Sequence, residues 1–179
     1  MTASTRAVSS GVALVAASAA FSAFWLGGIL FDLPDSVWAL TLGLHGLTFV
    51  LITVGFVLMG RGLELAGWRR VAWWLGAALT VAGSVTGWVP FAGGMLVIGG
   101  FEIAARRQLA GAALITGAAA LAAVYFRGVH YGDEHSRAAS SVEEAVFIAV
   151  VILVAIGLSA IGAEQLRRGR RMAGQSAQP

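Results

Sequence analysis

Six long apolar runs, at Gly11 to Phe31, Val37 to Met59, Val71 to Val89, Phe91 to Ala105, Leu109 to Phe126 and Ala145 to Ala163, take up most of this chain, and Glu102 is the one formally charged residue inside any of them. No soluble domain of this size hides that much apolar surface. With 58% hydrophobic and 12% charged residues and a mean hydropathy of +0.82, the composition lies outside the soluble globular range. The expected solvent is a lipid bilayer.

The architecture turns on the stretch from Val71 to Ala105. As one helix it would measure about 50 Å at roughly 1.5 Å per residue, whereas about 20 residues cross a hydrocarbon core of about 30 Å. A break is therefore expected, and Pro90 supplies it, with Gly93 and Gly94 loosening the turn after it. The fourth run is short. It is either a full crossing or a half-helix in a re-entrant loop buried in protein.

Arginine placement orients the six-span reading. With the N-terminus in the cytoplasm, Arg6, Arg61, Arg69, Arg70, Arg106, Arg107, Arg167, Arg168, Arg170 and Arg171 fall inside, and Arg127 and Arg137 outside. That is the positive-inside bias. The expected fold is an all-α polytopic bundle of six spans arranged as three hairpins, with both termini inside. Residues 1–179 form one integral membrane domain, with a cytoplasmic tail at 1–10, an outer polar loop at 127–144 and a basic cytoplasmic tail at 164–179. Arg6 followed by an apolar stretch with Ala17-Ser18-Ala19 has the form of a secretory signal. Its apolar character runs on to Phe31, longer than a signal core, so an uncleaved span is expected.

Every cation is arginine and lysine is absent, the codon bias of a GC-rich genome, which points to a bacterial cytoplasmic membrane. There is no cysteine, so disulfide and thiolate chemistry are excluded. The basic balance reports membrane orientation here, and no nucleic-acid partner is expected. The lipid bilayer is the expected partner.

Small residues predict how the helices meet. Gly76, Thr80 and Ser84 are four apart, as are Gly83 and Gly87, and Ala155, Ser159 and Ala163 repeat the spacing. Such rows let helix backbones approach closely, within one bundle or between copies or subunits of a membrane complex. Trp38, Trp68, Trp73, Trp74 and Trp88 lie near run ends, where interfacial anchoring accounts for them.

"GAAL" recurs at Gly76 to Leu79 and at Gly111 to Leu114, and Pro34 and Pro90 each separate an outward run from an inward one. In "LGAALTVAGSVTGWVP", "MLVIGGFEIAARRQ" and "LAGAALITGAAALAA", between Trp74 and Ala123, the chain resembles the HdeD-like bacterial membrane proteins, built from two-helix repeats. The third hairpin departs from that pattern in having no proline and a long charged loop. The resemblance implies a six-helix fold and a role in acid or envelope stress; it carries over no functional residues.

Three groups are chemical candidates. His45 lies well inside the second run, with Thr41 and Thr48 at helical spacing; it is either a bonded neutral imidazole or a working group. Glu102 has Arg106 four residues on, the favourable order for an intrahelical ion pair, which would make it a snorkelling interfacial carboxylate. In a half-helix it would instead line a wet cavity that binds a proton or cation. "HYGDEH" offers His130, Asp133, Glu134 and His135 as divalent-metal ligand types or a pH-sensing pair, without the spacing of a known zinc motif. No phosphate-binding glycine loop, GxSxG or deep bis-histidine pair is present, and no aspartate lies in any run. A protein without enzymatic activity or cofactor is expected, with a small transporter, channel or accessory subunit using Glu102 or His45 as the alternative.

Overall fold

The computed structural model describes residues 1–30, 35–63, 65–86, 88–130 and 141–175, with side chains described outside 28–42, 64, 84–88 and 124–144. The described chain is helical: α1 (Ala3–Leu30), α2 (Asp35–Gly62), α3 (Trp68–Thr86), α4 (Trp88–Ala104), α5 (Gln108–His130) and α6 (Ser141–Gln175). Each helix packs antiparallel on its neighbours in sequence, and α6 closes the ring by an extensive contact with α1. The slightest junction is α2 with α3.

Three helices, over Ala3–Gly27, Gly43–Gly62 and Ala145–Gln175, are long and apolar enough to cross a membrane, while Val89–Ala104 and Gln108–Ala123 are shorter apolar helices. The outer surface is apolar as well. Val12 on α1, Val50 on α2, Leu75 on α3, Leu96 on α4 and Ile152 on α6 are all exposed. Helices apolar on both faces belong in lipid, and the chain is a membrane protein.

Two glycine pairs make reciprocal close approaches. A Cβ on Gly111 would stand 2.6 Å from the Gly99 carbonyl oxygen, and one on Gly99 would stand 3.0 Å from that of Gly111, so α4 and α5 touch backbone to backbone. Gly11 and Gly162 do the same for α1 and α6, at 2.7 and 2.9 Å. The expected small-residue rows also lie in contacts within the chain: Gly94 packs on Thr80 and Gly76. Ser159 Oγ donates to Ser18 Oγ, which donates to the Ala155 carbonyl, each at 2.8 Å. These hydroxyls bond across two helices where water is absent.

Three expectations need correction. α3 ends at Thr86 and α4 begins at Trp88, so the break precedes Pro90, which lies within the first turn of α4, where its missing amide hydrogen costs nothing. Trp73 is no interfacial anchor: it is 1% exposed, set edge-on between Phe56 and Phe101, in space left by Gly60. Only Trp68, 75% exposed, and Trp74 keep a surface position among the described tryptophan side chains near run ends. Finally, α1 begins at Ala3 and α6 runs to Gln175, so segments read as tails are helical and joined, with Ser4 Oγ donating to the Gly169 carbonyl at 3.0 Å.

Candidate functional site

On α4, Phe91, Met95, Ile98 and Glu102 recur at helical spacing and are all 1% exposed or less. The carboxylate therefore continues the core-facing stripe. It does not snorkel.

Directly after Glu102 the helix ends in a reversal. The Arg107 amide donates to the Glu102 carbonyl and the Arg106 amide to the Ile103 carbonyl, both at 2.8 Å. With Arg106 at φ 63°, these two bonds form a Schellman motif. A left-handed residue there is usually glycine, because a Cβ crowds the following carbonyl. The reversal decides which arginine meets the acid. Arg107 Nε lies 3.0 Å from Glu102 Oε2, and the expected Arg106 pairing is not formed, because i,i+4 geometry ends where the helix does.

This contact is one of charge rather than a hydrogen bond. Neither Glu102 oxygen has a hydrogen-bond partner among the described residues, so the Nε–H is not aimed at the carboxylate despite its closeness. Desolvating a carboxylate costs several kcal/mol, and one misaligned guanidinium offsets only part of that. Beside the acid lies a cavity of about 240 Å³, lined by Leu63, Leu65, Arg69, Trp73, Phe101, Ala104, Ala105 and Arg107 as well as Glu102. Arg69, from the start of α3, brings a second cation to it. The arrangement suits a carboxyl that exchanges a proton with the cavity and, in doing so, keeps or releases Arg107.

His45 stands elsewhere, toward the opposite end of the bundle. It is half-buried among rings, with centroids 4.6 Å from Phe24, 4.5 Å from Phe49 and 5.8 Å from Trp25. Among the described residues it has no hydrogen bond, and the Thr48 hydroxyl is spent on the Leu44 carbonyl at 2.8 Å. The structure does not bring His45 and Glu102 together: Phe91, Met95 and Ile98 fill the α4 stripe between them. The Thr41 side chain, the His130 side chain, and Asp133, Glu134 and His135 lie outside the described residues. Among the described ones no cluster of three metal-ligand side chains occurs.

Sequence reasoning missed a second polar group at the Glu102 end. Gln165 is 3% exposed, and among the described residues its Nε2 has no hydrogen-bond partner, as is also true of the buried Nε of Arg6. The signal was present in the spacing of Leu158, Ile161, Gln165 and Gly169, which carries the buried face of α6 past Ala163. No family model, curated protein or solved structure matches the chain.

Proposed function

We propose that this is a non-enzymatic membrane protein of the bacterial cytoplasmic membrane that acts in acid or envelope stress, with Glu102 as its acid-responsive group. All six helices cross, and both chain ends lie in the cytoplasm. The positive-inside bias supports that orientation. Support for six crossings comes from the way α4 runs along α3, from Phe91 against Gly83 to Phe101 against Trp73.

One observation carries the role of Glu102: a fully buried carboxylate, with a cavity beside it, that has among the described residues a salt bridge to Arg107 and no hydrogen bond. Acid neutralises the carboxyl, which removes the attraction that holds Arg107 over the end of α4 and frees the α4–α5 turn. The resemblance to HdeD-like proteins supports the physiological setting.

The test is acid challenge of cells lacking the protein, complemented with the wild type or with Glu102→Gln at equal membrane abundance. Deletion should lower survival and the wild type should restore it, while Glu102→Gln, whose amide cannot change charge, should not. Unchanged survival on deletion overturns the stress reading. A second reading, a small proton-coupled transporter, is favoured by the same cavity; it requires a Glu102-dependent proton flux in liposomes.

A further inference from the structure

Where α1, α2 and α6 converge, a cavity of about 220 Å³ is lined by Arg6, Arg61 and Arg168, with Gln165, Leu58 and Met172 among its other walls. Among the described residues no carboxylate lines it. The nearby acid on α6, Glu164, lies toward Arg167 at 3.7 Å instead. Gln165 and Arg168 share a face of α6 by their three-residue spacing, and Arg168 Nη2 donates to the Gly62 carbonyl at 3.4 Å, which fixes α6 against the end of α2.

Two of the lining residues carry a buried donor that has no acceptor among the described residues: Gln165 Nε2, on a residue 3% exposed, and Arg6 Nε. Buried donors without partners are rare in folded proteins, and a bound acceptor is one of the few explanations. Like charges converge here without a counter-charge, so that acceptor is an anion. Three guanidinium groups and an amide exceed what the two oxygens of a carboxylate can engage, and they suit a tetrahedral oxyanion. The volume is below the roughly 300–1,000 Å³ of a drug-sized pocket, and Leu58 and Met172 give it an apolar side.

We infer that this cavity is a phosphate site, which takes either the headgroup phosphate of an anionic lipid or free inorganic phosphate. Arg6 and Gln165 hold the phosphate oxygens at the base, and Arg61 and Arg168 close over it at the rim. Basic pockets between helices at a membrane surface bind phospholipid headgroups in this manner. The site is separate from Glu102 and stands whether or not that residue responds to acid.

The experiment uses the full chain purified in detergent, with thermal stability followed against three additions: short-chain phosphatidylglycerol, diacylglycerol of the same chains, and inorganic phosphate at ionic strength matched with chloride. A saturable rise with phosphatidylglycerol but not diacylglycerol or phosphate assigns a lipid headgroup; a saturable rise with inorganic phosphate assigns the free anion. Arg6→Gln and Arg61→Gln should each weaken the apparent affinity about ten-fold or more, as loss of a hydrogen bond to a charged group does. Arg170→Gln removes the same charge from an exposed position that does not line the cavity, and should leave the affinity unchanged. If Arg6→Gln fails to fold, Arg61→Gln, at an exposed position, decides alone. The proposal is overturned by no saturable response to any phosphate, or by equal weakening in Arg170→Gln.

Discussion

Arg107 Nε stands 3.0 Å from Glu102 Oε2, five residues away, because the chain reverses through a left-handed Arg106 before a further helical turn can form. The two partners are unequally placed. The Arg107 side chain is 27% exposed and can rehydrate, whereas that of Glu102 is 1% exposed and cannot. Removing the cation should therefore cost more than removing the anion. Arg107→Ala is expected to destabilise the fold by about 3 kcal/mol, as loss of one partner of a buried pair does, and Glu102→Gln by about 1 kcal/mol. Adding Glu102→Gln to Arg107→Ala should recover most of the loss. Denaturant unfolding in detergent measures all three, and a cost for Arg106→Ala as large as that for Arg107→Ala would contradict the pairing.

Arg106 itself is expected to be a site of stabilisation. At φ 63° its Cβ carries a strain of roughly 1 kcal/mol that glycine lacks. Arg106→Gly should thus raise the melting temperature, and Arg106→Val should lower it, since a β-branched side chain suits that conformation least. The reverse order would show that the turn is held by the arginine side chain rather than despite it.

Adjacent glycines on α4 should respond in opposite directions. A Cβ on Gly99 would meet the Gly111 carbonyl and the Ile115 side chain, while one on Gly100 would meet nothing within 4 Å. Gly99→Ala is expected to push α4 from α5 and to cost about 1–3 kcal/mol, as overpacking does. Gly100→Ala should stabilise by up to about 1 kcal/mol through helix propensity. Thermal unfolding of the two variants side by side checks this.

The range of each interaction decides how far it was legible in the sequence. Apolar runs and charge gaps are local, so the helices fall close to their expected places, and Ser159 with Ala155 could be named as packing positions from spacing alone. Their partner Ser18 lies on α1, 141 residues from Ser159, and no local pattern reports a contact at that range. The Arg107 pairing was hidden because it depends on one backbone dihedral that arginine seldom adopts. Gln165 was hidden because the arginines after it ended the apolar run while the buried face of α6 continued.

His45 is expected to tolerate an apolar ring. Its described neighbours are Phe24, Trp25 and Phe49, with no hydrogen bond among the described residues to lose. His45→Phe should keep stability within about 1 kcal/mol, as volume-conserving apolar exchanges do. His45→Asp should cost several times more, since a carboxylate among rings has no partner. Loss of fold in His45→Phe would reveal an imidazole bond that this packing does not require.

The crossing of α4 can be read at its two ends. Val89 is 44% exposed near the first turn of α4, and Leu109 is 71% exposed just beyond its far end. Seventeen residues measure about 25 Å at roughly 1.5 Å per residue, a little short of the hydrocarbon core, so local thinning or tilt of neighbouring helices accompanies a crossing. The chain has no native cysteine, so Val89→Cys and Leu109→Cys each report one position to a membrane-impermeant maleimide. Val89→Cys should label in intact cells and Leu109→Cys only after permeabilisation. Labelling of both from the same side would make α4 re-entrant, place its two ends in one compartment, and replace the six-span orientation from which the acid-response reading takes its cytoplasmic carboxylate.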